Sequence, residues 1–292
     1  MRISFRPIAV TTVLALAATG FATAPANAAP VVPTDCGVWT TAYQSSGQRV
    51  SYGYTNEQTE VRSYSGDTLP WVPTAQQQLG GAGDTDLFIS SELVTHPTDG
   101  YIYALERRGE RTDGVWKMVR NETKRLTSGF ASTRVLAYGY PYLYRVAGTS
   151  LFRHEVSYSN GSWVVSAPVR LASTSWDTVK TFTFERTEGT GAAAVDVLVG
   201  TKSNGELKEW RVNRTTPTSI SSTVLKATGF NTFTSLSTGY CQEHPAGRPL
   251  LGITAAGAAS AYFDATANDR SGADITGGSL GSLGWTGRAY GQ

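Results

Sequence analysis

Residues Asp196 to Val212 constrain the fold more than any other stretch. An apolar run, Val197-Leu198-Val199, is followed by an Asn204-Gly205 pair and then by Leu207, Trp210 and Val212 among polar neighbours. Asn-Gly tolerates the positive φ angles of a tight hairpin, so the stretch predicts two antiparallel strands. One hairpin cannot bury its own apolar face. Related turns recur at Ser46-Gly47, Asp99-Gly100, Ala147-Gly148 and Ala256-Gly257, each before a strand-like segment with aromatic or aliphatic residues. A second signature trails four of the five: Leu126…Gly129-Phe130, Leu171…Trp176, Leu225…Gly229-Phe230 and Leu280…Gly284-Trp285.

Units of roughly 50 residues that each cannot bury a face alone predict a repeat architecture. Each unit offers about four short strands, and no window outside the leader shows helical apolar spacing. The expectation is therefore an all-β, single-domain, five-bladed β-propeller of four-stranded antiparallel blades over 36–292. The blades fall near 36–85, 86–133, 134–180, 181–234 and 235–292. A two-sheet sandwich does not account for the period.

The first 28 residues read as a leader. Arg2 and Arg6 precede an apolar run from Ile8 to Phe21, and Ala26-Asn27-Ala28 supplies a small-residue cleavage site. A secreted protein cleaved near Ala28 is expected, with residues 29–35 as an extended, proline-bearing linker. Loss of the leader leaves 23 basic against 23 acidic residues. That balance, without a basic run, argues against nucleic acid or membrane insertion. Oligomeric state is open.

Two cysteines, Cys36 and Cys241, predict one disulfide in an oxidising compartment. Both fall in or near the first strand of a unit, and the first and fifth units are neighbours in a closed ring. A bridge would staple the joint that lacks chain continuity.

Two propeller families resemble these motifs. Asp86-Leu87-Phe88…Gly100-Tyr101-Ile102-Tyr103 and Asp196-Val197-Leu198…Gly205-Glu206-Leu207…Trp210 are similar to the FG-GAP, or integrin-like, repeat (the VCBS type included). Leu143-Tyr144-Arg145-Val146-Ala147-Gly148-Thr149-Ser150-Leu151-Phe152 resembles the blade motif of tachylectin-like lectins. The first resemblance implies calcium loops. The segments before Asp86 and Asp196 hold at most one spare carboxylate, too few for six to eight oxygen ligands, so no cofactor or metal is expected.

The tachylectin-like resemblance implies glycans, or cell-surface polysaccharide, as partners. Apolar sugar faces stack on aromatic rings and hydroxyls need planar polar groups. The candidate ligand-binding residues are Asp99, Trp116, Asn160, Trp163, Trp176, Asn204, Trp210 and Trp285, and none is catalytic. The expected function is a secreted, non-catalytic, multivalent carbohydrate-binding protein. Two alternatives stand beside it: an extracellular glycoside hydrolase or lyase with channel carboxylates, for which Asp86, Glu185 and Asp196 are candidates, and a protein-binding propeller. His96, His154 and His244 lack metal-site spacing.

Overall fold

The computed structural model describes residues 32–292. The expected leader and the start of the linker lie outside the described residues. The remainder of that linker is not free: Val32 is buried beside Val38, and Asp35 accepts a hydrogen bond from the His244 side of the chain.

The chain is all-β. Its strands are β1 (Cys36–Tyr43), β2 (Gln48–Thr55) and β3 (Gln58–Thr68), then β4 (Gln76–Gly83), β5 (Leu87–Thr95), β6 (Tyr101–Thr112) and β7 (Val115–Ser128). Next come β8 (Thr133–Gly139), β9 (Tyr142–Ala147), β10 (Ser150–Ser159), β11 (Ser162–Val165) and β12 (Val169–Ala172). They are followed by β13 (Val179–Glu188), β14 (Val195–Lys202), β15 (Leu207–Asn213) and β16 (Ile220–Lys226). The last are β17 (Phe233–Thr238), β18 (Tyr240–Cys241), β19 (Arg248–Thr254), β20 (Ala258–Asp264), β21 (Thr276–Ser282) and β22 (Arg288–Tyr290). Among the described residues no helix is long and apolar enough to cross a membrane.

Most pairing is between sequence neighbours. The order is β13-β14-β15-β16 in one sheet, β17-β19-β20-β21 in another, and β8-β9-β10 with β11 and β12 in a third. The exception is a curled nine-stranded sheet, in which β1-β2-β3 meets β7-β6-β5-β4 through one parallel contact, Ser65 opposite Lys117. Here the expected unit boundary shifts. The glutamine- and glycine-rich β4 pairs with β5, so residues 76–83 belong with the second unit, not the first. β1 takes its other neighbours from the far end of the chain, Cys36 facing Cys241 and Thr41 facing Tyr290. The predicted Cys36–Cys241 disulfide is formed.

The two repeating signatures turn out to be one device. The turn glycines 47, 100, 148, 205 and 257 all have positive φ, which only glycine adopts without strain. The carbonyls of Gly100, Gly205 and Gly257 accept the backbone N–H of Phe130, Phe230 and Trp285, at 2.8, 3.1 and 3.2 Å. At the third turn the acceptor is Thr149, which takes the N–H of Trp176 at 3.2 Å; at the first, Gly47 takes that of Leu69 at 2.9 Å. Each locking residue then buries its side chain in its own apolar cluster: Trp285 with Val38 and Leu251, Trp176 with Tyr144 and Leu198, Phe130 with Leu93 and Leu143. Phe230 sits with Val199 and Leu250, and Leu69 with Tyr43 and Leu105. Every one of these clusters draws on two consecutive sheets, or on the first and last stretches of the chain.

The Asn204-Gly205 turn differs from expectation in detail. Only Gly205 has positive φ, and Lys202 bonds to both Gly205 and Glu206, so a four-residue loop replaces the two-residue turn. Two-residue turns with both φ positive occur instead at Asp113-Gly114 and Asn160-Gly161.

Candidate functional site

The starts of β4, β8, β13, β17 and β22 converge on one cavity of about 550 Å³. Each strand delivers a polar side chain near its first residue: Thr74, Arg134, Lys180, Thr234 and Arg288. Thr181, Ser235, Thr254 and Thr286 add hydroxyls, and Phe182 and Leu136 supply apolar wall. Among the described residues no carboxylate lines it. Three cations therefore face a space without a resident counter-ion.

The cations are placed by the backbone. Arg134 donates from Nη1 to the Val179 carbonyl at 2.9 Å and from Nη2 to that of Trp176 at 2.7 Å. Lys180 donates from Nζ to the Asn231 carbonyl, and Arg288 from Nη2 to that of Thr74 at 2.5 Å. Each reaches the segment leading into a neighbouring strand, so the charges are fixed in position before any ligand arrives. Burial lowers the pKa of Arg134, with Asp177 opposing. Two buried atoms at the wall lack partners: Gln76 Oε1, whose amide nitrogen donates to Glu92 at 3.0 Å, and the Ser235 hydroxyl. Both residues are 1% exposed, and an unmade buried hydrogen bond costs about 1–3 kcal/mol.

The predicted binding residues are not brought together. Trp176 and Trp210 are 6% exposed and Trp285 is 3% exposed. Trp176 packs with Trp210 at 5.5 Å, and Trp285 stacks on Tyr52 at 4.7 Å. All three fill core between sheets, because a large ring beside a turn is the cheapest way to bury apolar area there. Trp116 and Trp163 are half-buried, the first against Tyr64 and Phe88, the second against Tyr158. Asp99, Asn160 and Asn204 are exposed turn residues. Asp99 Oδ1 accepts the Tyr101 N–H at 2.8 Å and Asn204 Oδ1 that of Glu206 at 3.2 Å, so both serve their own turns.

The acids considered for hydrolysis are likewise dispersed. Asp196 is fully buried and accepts from Tyr144 at 2.6 Å, Thr187 at 2.8 Å and Arg214 at 2.7 Å. Glu185 is held by Arg186 and by Arg248, the latter at 2.5 Å. Asp86 is exposed in a loop. His244 is less isolated than its spacing suggests, since Nδ1 lies 2.8 Å from Asp35. With Cys36 these two form the closest grouping of metal-ligand types among the described residues, but the Cys36 sulfur is spent in the disulfide.

No family model and no curated protein matches this sequence. Among solved structures, a protein from Lactobacillus plantarum aligns over 84% of this chain at 11% identity with a TM-score of 0.33. A protein from Bacteroides uniformis, provisionally named a 6-phosphogluconolactonase, aligns over 78% at 12% identity, also with a TM-score of 0.33. This chain spans 66% and 64% of their lengths, just under two thirds. The expectation of a glycan-binding lectin is corrected. Three of the five tryptophans assigned to sugar stacking are core, and among the described residues the candidates form no repeated aromatic niche.

Proposed function

We propose that the protein is an extracellular five-bladed propeller that takes a small, anionic, hydroxyl-bearing carbohydrate into the cavity at its centre and acts on it as an enzyme. The five-fold count is supported by the five locked turns and by the clusters between successive units. In this reading β22 is the innermost strand of the first blade, beside β1, and residues 76–128 make the second. The disulfide is compatible with an oxidising exterior.

The single observation that carries the substrate class is the trio Arg134, Lys180 and Arg288 around a cavity with no acid of its own. Guanidinium and ammonium groups fixed by backbone carbonyls pay their ordering cost in advance, so the anion gains most of the Coulomb term. The same trio bears on chemistry. Hydrolysis by two carboxylates has no acids here to use. Cations aimed where negative charge develops would stabilise an anionic transition state on a bound anion, which fits the enzyme alternative without naming its bond-breaking step.

Calorimetric titration with glucuronate, gluconate and glucose 6-phosphate against neutral glucose tests this. At least one anion binds, more weakly as salt rises, and glucose does not. Lys180→Met and Arg288→Met each weaken binding about tenfold, the scale of one charge-assisted hydrogen bond. Incubation followed by NMR then shows conversion of the bound anion, and an unchanged spectrum overturns the enzyme reading. Equal binding of glucose, or indifference to both substitutions, overturns the substrate class.

A further inference from the structure

A second hollow, of about 520 Å³, opens on the concave side of the curled sheet, between β1–β3 and β4–β7. Its wall is aromatic. Tyr64, Phe88 and Trp116 form a mutual cluster with centroids 5.0 to 5.8 Å apart, and Trp39 lies under the Arg62 guanidinium at 4.4 Å. The first three rings are tilted by 35 to 54° to one another, and Phe88 and Trp39 are seated on gaps left by glycine. A methyl group at Gly53 would stand 2.2 Å from the Trp39 ring, and one at Gly109 would stand 2.2 Å from Phe88. Any other residue at either position displaces its ring, so the two glycines fix the platform.

Beneath it lie two buried guanidiniums, Arg49 and Arg107, 6% and 4% exposed. Arg107 is fully engaged with Asp67, Glu92 and Ser90. Arg49 is not. Its Nη2 reaches Thr41 and Glu92, both at 2.8 Å, while Nε, also buried, has no acceptor among the described residues. A buried donor left unpaired beside a ready-made apolar platform asks for one oxygen and one flat face. The acids nearby already balance the arginines, so the oxygen need not be charged.

We infer that this hollow is a binding site for a flat apolar ring bearing an acceptor oxygen, a carboxamide or carboxylate, with the ring on Trp116, its edge against the tilted Phe88, and the oxygen on Arg49 Nε. It is separate from the cation-lined cavity and stands whether or not that cavity binds anions.

The test is calorimetric titration of the full chain with indole-3-carboxamide, indole-3-carboxylate and indole. Both acceptor-bearing probes bind at least tenfold more tightly than indole. Trp116→Ala weakens both about tenfold or more, with circular dichroism unchanged. Arg49→Lys keeps the charge for Glu92 but removes Nε, and it abolishes the preference over indole. If Arg49→Lys fails to fold, the Trp116→Ala arm and the probe ranking still decide. Equal affinity for the three probes, no binding of any, or binding unaffected by Trp116→Ala overturns the assignment.

Discussion

Glu188 shows how single charges tie neighbouring strands together. It sits at the end of β13, where Arg211 and Arg186 grip its two oxygens. The hydrogen bond from Arg211, with help from Arg186, brings its pKa down from 4.5 to about 2. A carboxylate depressed in the folded state stabilises above its unfolded pKa, and that stability drains as pH falls from about 4.5 to about 2. The side chain is 31% exposed, so screening trims the contribution to about 1–2 kcal/mol. Urea melts of Glu188→Gln and the parent chain should differ by that amount at pH 7 and converge towards pH 2. A constant difference across the range would detach Glu188 from the acid limb. None of this was legible in the sequence, since Arg-x-Glu at 186–188 gains its meaning from Arg211, a strand away. The same holds for Arg134, Lys180 and Arg288, scattered singly along the chain with no motif around them. What assembles them is the shared start of inner strands, a property of topology.

At the scale of elements, sequence and structure agree where backbone geometry restricts the choice of residue. The turn glycines were legible because positive φ admits little else, and the trailing aromatics because they recur 25 to 30 residues behind them. Their meaning was not. Aromatic recurrence suggested sugar stacking, whereas Trp176 and Trp285 recur because each closes a turn with its N–H and fills a gap with its ring. β4 escaped notice for the opposite reason. Gln76-Gln77-Gln78 has no apolar alternation, and the buried Gln76 is anchored by its amide nitrogen on Glu92 rather than by apolar packing. If the lock is one device, Phe230→Ala should cost about 3–5 kcal/mol in urea denaturation. Gly205→Ala, at φ 94°, should add strain of about 1–2 kcal/mol. Combining the two should cost less than their sum, because each loosens the same backbone contact between the turn and residue 230. Strict additivity would separate turn from ring.

For the molecule as a whole, the bridge from Cys36 to Cys241 spans 205 residues, and chain entropy values such a crosslink at about 5 kcal/mol. Reduction and alkylation should lower the melting temperature by roughly 10 °C while leaving the far-ultraviolet circular dichroism of the native state in place. An unchanged melting point would mean that the pairing of β1 with β22 and the packing around Trp285 hold the two ends without help. That pairing has a temporal side. One edge of β1 pairs at once with β2, but on its other edge Thr41 waits for Tyr290, and the cysteine at 36 for the one at 241. The other strands can zip against immediate successors as they emerge. That one open edge, with the Cys36 thiol on it, stays exposed and unoxidised until residues 240–290 arrive, and it is where a chaperone or an unwanted strand would dock.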